Sequence, residues 1–128
     1  CGLIAGRKDL LDGMARYGVN ITPMPAVVAA EASLLDPDLV PMRKAQNKAV
    51  RDDLIAWCAA QDLRTLPSQA SFLMIHVGRP GADVTAALAK ARIFIGGPRK
   101  HMEDWVRVSI GTAAEMQAFK AALLKVLA

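Results

Sequence analysis

Cysteine is scarce: Cys1 and Cys58 are the only two among 128 residues. Two are too few for a disulfide framework in a chain of this length. Cys58 falls in a helical pattern and reads as a small buried hydrophobe. Histidine is equally sparse. His76 and His101 are far apart and neither sits near a cysteine, so no metal-ligand spacing is present. Aromatic residues make up 5% of the chain, with a single tyrosine. The basic residues are scattered, in small clusters at Arg7-Lys8, Arg43-Lys44 and Arg99-Lys100. They are not interleaved with aromatics, which argues against nucleic-acid binding despite a net charge of +4. No apolar run approaches the roughly 18 residues of a membrane span, and no signal peptide is in view. A cytoplasmic location and no membrane partner are therefore expected. There is no internal repeat and no low-complexity segment.

Apolar residues make up 53% of the chain and charged residues 22%, a globular composition large enough for one core. The chain opens on Cys1-Gly2-Leu3-Ile4, a strand-like run with no lead-in, as expected of a piece of something longer. Residues 1–6 read as that strand. Residues 7–17 read as a helix stopped by Gly18, and residues 26–35 as an Ala- and Val-rich helix after Thr22-Pro23. Asp36-Pro37-Asp38 breaks the pattern. Pro41 then suits the first turn of a long helix running to about Gln61, with Met42, Ala45, Ala49, Leu54, Trp57 and Cys58 on its apolar face.

From Arg64 the period shifts from 3.6 to 2. Residues 64–67 suggest an edge strand, and residues 71–77, nearly all apolar, a strand buried on both faces. His76 at its end reads as a satisfied rim histidine. A short helix over 83–91 and a strand over 92–95 follow. Gly96-Gly97-Pro98 lacks the helix start and the Lys-Ser/Thr of a phosphate cradle, and reads as a plain loop. The fold class is thus α/β: a small domain with a mixed sheet and helices packed mainly on one face.

The most informative stretch is Asp104 to Thr112. Trp105, Arg107 and Ser109 alternate with Val106, Val108 and Ile110, so the two sets occupy opposite faces of a strand. Thr112 with Glu115 forms a Thr-x-x-Glu capping box, opening a last helix with Met116, Phe119, Leu123, Val126 and Leu127 on its core face. Arg107 in mid-strand is unusual, because a guanidinium is always charged and rarely buried alone. It either pairs internally, with Asp104 or Glu103, or waits for a carboxylate on a ligand.

Val106-Arg107-Val108-Ser109-Ile110-Gly111-Thr112, with Glu115-Met116 and Phe119, resembles the closing motif of the class I/II pyridoxal-phosphate aminotransferases, most of all their histidinol-phosphate branch. Pro67-Ser68-Gln69-Ala70-Ser71-Phe72 is similar to that branch's Pro-Ser-x-Ala-Asn-Phe segment. Gly2-Leu3-Ile4-Ala5 resembles the strand that comes shortly after the cofactor-binding lysine. Tyr17-Gly18-Val19-Asn20 resembles an aromatic-Asn-Val-Asn connection. The likeness runs through nearly the whole chain in order. Ser71 in place of Asn, and Gly96-Gly97 where relatives of the branch often carry an arginine, are departures that put phosphate-bearing substrates in doubt.

The resemblance implies that residues 1–40 end a large cofactor-binding domain, and that residues 41–128 are the linking helix and small C-terminal domain. It implies pyridoxal 5'-phosphate as cofactor, an amino acid and a 2-oxo acid as substrates, and a homodimer. Arg107 would grip the substrate carboxylate, and Tyr17 and Asn20 would border the site. The Schiff-base lysine and the cofactor's aspartate would lie before Cys1, in a missing N-terminal part, which leaves this chain with no catalytic residue and no activity alone. Two other readings remain: a non-catalytic module binding an amino or keto acid through Arg107, and a decarboxylase of the same fold.

Overall fold

The computed structural model describes residues 4–18 and 22–128. The chain divides into two compact units, Cys1–Pro41 and Met42–Ala128. The first contains α1 (Lys8–Ala15) and α2 (Met24–Leu35). Of the strand expected over 1–6, residues 4–6 form no regular structure and the first three lie outside the described residues. Arg7–Asp9 and Lys8–Asp12 pair at 2.6 Å on the surface of α1. Such exposed pairs contribute little. In α2, Pro25 sits in the first turn, where its missing N–H is harmless. Met24, Val28, Leu34 and Leu35 are exposed.

The second unit is built on α3 (Leu39–Ala60), β1 (Phe72–His76), α4 (Gly81–Lys90), β2 (Trp105–Ser109) and α5 (Ala113–Leu127). Strands β1 and β2 pair antiparallel, with Leu73 opposite Val108, Met74 opposite Arg107 and Ile75 opposite Val106. On the outer flanks, Thr65 bridges Ile75 and Gly96 bridges Arg107, both antiparallel. The strand expected over 64–67 is thus reduced to a single bridge, residues 92–95 form no strand, the bridge on that flank falling at Gly96, and every pairing among the described residues is antiparallel. The mixed character expected of the sheet is not seen. Helices flanking a sheet remain the architecture.

The register decides the core. Leu73, Ile75, Val106 and Val108 share one face and are fully buried against Leu54 and Cys58 of α3, Val84 and Leu88 of α4, and Met116, Phe119 and Leu123 of α5. All three helices therefore cover the same face. At about 25 cal/mol per Å² of apolar surface removed from water, this cluster is the main stabilising feature of the unit. Only the second half of α3 takes part: Met42, Ala45 and Ala49, expected on its apolar face, are exposed. The helix also carries a buried arginine, Arg51. Lys120 of α5 is likewise buried and donates to Asp53 at 2.6 Å.

Helix ends follow local chemistry. The Thr112 hydroxyl accepts from Glu115 N at 3.3 Å, and Glu115 Oε2 accepts from Thr112 N at 2.7 Å, closing the expected capping box. At the other end of α5, Arg79 donates to the Val126 and Leu127 carbonyls at 3.2 and 2.8 Å, supplying charge where the helix dipole favours a cation.

Candidate functional site

The other face of the sheet carries Phe72, Met74 and His76 from β1 and Trp105, Arg107 and Ser109 from β2, as the pleat requires. The helices of the core cluster lie against the opposite face. Arg107 is half-buried in the middle of this face. Its guanidinium lies over the Phe72 ring, 4.3 Å from the centroid, a cation–π arrangement that holds the fork without using its N–H donors. Directly across from it, Met74 is buried.

On its other flank Arg107 exchanges two backbone hydrogen bonds with Gly96, at 2.8 and 3.0 Å. The approach is close: a Cβ on Gly96 would stand 3.2 Å from Arg107 Cβ and 3.1 Å from its carbonyl oxygen. The absent side chain is what lets the two backbones come this close.

The internal partners considered for Arg107 are engaged elsewhere. Asp104 Oδ2 lies 3.0 Å from His76 Nε2. Hydrogen bonding from its own backbone N–H, and then His76, holds the Asp104 carboxyl below the usual carboxylate range. Glu103 accepts from the His101 amide at 3.0 Å. Among the described residues, no ion pair involves Arg107. His76 is the rim histidine expected of it, edge-on to Trp105 at 5.2 Å. The Arg64 guanidinium lies over the Trp105 ring, 5.9 Å from its centroid.

Tyr17 belongs to the first unit, is 74% exposed and has the Arg16 guanidinium over its ring at 4.9 Å. Asn20 lies outside the described residues. Cys58 is a core thiol pushed up to about 11 by burial, so it stays protonated near neutral pH and is a poor nucleophile. No cluster of potential metal ligands occurs among the described residues, and no described helix is long and apolar enough to cross a membrane. A groove of about 400 Å³ lies between residues 92–96, the end of β2 and α5, but Arg107 does not line it. The groove takes in Ser109 of the Arg107 face, but not the guanidinium itself.

Phe72 as a platform and Gly96 as a spacer are visible only through the register. The sole sequence signal for them was their place in the two segments that resemble, or depart from, a known pattern.

The comparisons agree on one family. The model of the class I and II aminotransferases matches residues 1–123. The histidinol-phosphate aminotransferase of Halalkalibacterium halodurans is 37% identical over 102 residues, covering 79% of this chain and 28% of that protein. Histidinol-phosphate aminotransferase 1 of Thiobacillus denitrificans is 31% identical over 126 residues, covering 96% and 32%. Among solved structures, a protein of Erwinia carotovora atroseptica assigned the same activity superposes with a TM-score of 0.83 at 27% identity, over 91% of this chain and 34% of that one. The histidinol-phosphate aminotransferase of Sinorhizobium meliloti, solved in complex with pyridoxal-5'-phosphate, gives 0.71 at 26% identity, over 79% and 29%. The chain spans about a third of the length of these relatives. With a family match along almost its whole length and an α/β fold shared with solved members, this chain belongs to the class I and II aminotransferases.

Proposed function

We propose that the whole protein of which this chain is part is a pyridoxal-phosphate-dependent aminotransferase. It moves an amino group between an amino acid, or a histidinol-phosphate-like amine, and a 2-oxo acid. Arg107 grips the substrate carboxylate. The observation that carries this reading is the state of that guanidinium: half-buried, supported from below by Phe72, and paired with no carboxylate among the described residues. A planar fork held this way binds a carboxylate through two parallel hydrogen bonds and fixes its orientation. Orientation of that kind accounts for a large part of catalysis when the reacting bond must be aligned.

The cofactor's own cradle does not fit the described residues. Lys120, the one buried lysine among them, is held by Asp53 among the helices, on the side of the sheet away from Arg107. Pyridoxal phosphate supplies an electron sink where it is bound. The part of this chain is to bind and orient substrate, and residues 1–128 alone are expected to be inactive. Homodimerisation and a cytoplasmic location belong to the same reading, supported by the family alone.

The test is made on the full-length protein, by screening amino donors with 2-oxoglutarate. Arg107→Ala is expected to lose about 10²-fold in kcat/KM, the worth of a charge-assisted bidentate contact, while cofactor absorbance is retained. Unchanged turnover in that variant would overturn the assignment of Arg107. Turnover by residues 1–128 alone would overturn the division of labour.

A further inference from the structure

Arg51 is a charge in the core that packing does not account for. It sits on α3 with 5% of its side chain exposed. Nη1 donates to the Ala70 carbonyl at 3.1 Å. Nη2 is 3.8 Å from Asp52, whose carboxylate already pairs with Lys48. Nε is buried with no partner among the described residues. A guanidinium satisfied this sparingly destabilises a core, and an apolar residue of similar volume would fill the space at less cost. Such a group calls for an explanation.

The carbonyl it holds supplies one. Ala70 lies two residues before Phe72, in the turn that feeds β1. Ser68 Oγ accepts from Ala70 N at 3.1 Å and donates to the Phe72 carbonyl at 2.7 Å. The Ser71 carbonyl accepts from Ile110 N at 2.8 Å. The backbone entering β1 is thus tied to α3 by Arg51, to itself by Ser68 and to the end of β2 through Ser71. Phe72, where these ties converge, is the ring under Arg107.

We propose that Arg51 is a positioning residue for the carboxylate grip. From the helix side of the sheet it fixes the start of β1, and so the place of Phe72 beneath Arg107 on the opposite side. It touches no substrate. The inference rests on reading Arg107 as the grip, and the experiment separates the two.

In the full-length protein, KM for 2-oxoglutarate and kcat are measured for Arg51→Met, Arg51→Lys, Arg107→Lys and the double variant Arg51→Met/Arg107→Lys, with hydrogen exchange over residues 67–72. Arg51→Met is expected to raise KM about tenfold, with a smaller change in kcat, as for loss of binding shared by ground and transition states. Exchange over 67–72 should quicken. Arg51→Lys, which keeps one donor, should recover part of the loss. In the Arg107→Lys background, Arg51→Met should add less than about twofold, because the two residues act through one contact. A raised KM in Arg107→Lys with an unchanged KM in Arg51→Met overturns the positioning role, as does full additivity. An unchanged KM in Arg107→Lys overturns the grip itself, and the positioning role with it. Should Arg51→Met fail to fold, Ser68→Ala loosens the same turn: a raised KM there supports the proposal, and an unchanged one overturns it.

Discussion

The guanidinium of Arg107 lies 4.3 Å over the ring of Phe72, on the face of the sheet opposite the core cluster. The ring supports the charge without occupying its donors, and a cation–π contact at a partly exposed site is worth roughly 0.5–1 kcal/mol. Phe72→Leu keeps an apolar side chain but removes that support. In the full-length protein it is expected to raise KM for 2-oxoglutarate by about two- to fivefold. Steady-state kinetics decide it, and an unchanged KM would mean that Arg107 holds its pose without the ring.

Gly96 and Gly97 are adjacent but not equivalent. A Cβ on Gly96 would press on Arg107 Cβ and its carbonyl at 3.2 and 3.1 Å, whereas one on Gly97 would meet nothing within 4 Å. Gly96→Ala is expected to destabilise the fold by about 1–3 kcal/mol, typical of overpacking. Gly97→Ala should be close to neutral. Urea unfolding of the two variants gives the comparison, and equal midpoints would contradict the close approach of residue 96 to β2.

Lys120 is nearly enclosed, and its partner Asp53 is more than half exposed. Removing the partner leaves a buried ammonium uncompensated, whereas removing the charge itself lets an apolar stem fill the space. Asp53→Ala is therefore expected to cost roughly 1–2 kcal/mol, reduced from the fully buried case by solvent access to the carboxylate. Lys120→Met should be neutral or stabilising. Thermal unfolding of both variants checks the order, and the reverse order would show that the ion pair itself stabilises the core.

The capping box of α5 sets a pH dependence. The Thr112 backbone N–H, and then its hydroxyl, hold the Glu115 carboxyl below its ordinary value of 4.5. A carboxyl whose folded value is lowered binds fewer protons in the native state, so its stabilising contribution is present above the unfolded value. It is lost as pH falls through the folded one. Glu115→Gln should unfold at a lower temperature than the parent at pH 7, and the gap should be smaller at a pH below 4.5. A gap of the same size at both values would exclude the carboxylate as its source.

Local signals were strong where one residue decides its own surroundings. Thr112 and Glu115 are three apart, and that spacing alone closes a capping box. The alternation from Trp105 to Ser109 was enough to assign the two faces of β2, since side chains in a strand point alternately to either side. The core positions of α5 followed from its helical period in the same way. The family, too, was legible, because its motifs stand in order along the chain.

What the tertiary structure decided concerns pairs of residues distant in sequence. Whether Arg107 meets a carboxylate depends on where Asp104 turns, and Asp104 turns to His76, 28 positions away, on the neighbouring strand. That Phe72 lies under the guanidinium, and that a side chain at residue 96 would press on Arg107, depends on strand register and spacing. Register shifts by whole residues between strands far apart in the chain, and local patterning constrains it only through which face is buried. The outer strands expected over 64–67 and 92–95 are not formed at full length for a related reason: an edge segment is paired on one side only, and each flank keeps a single bridge, at Thr65 and at Gly96. Arg51 shows the same limit. A charged residue on a long helix is ordinarily a solvated one, and only the packing of the turn at Ala70 makes this one part of the core.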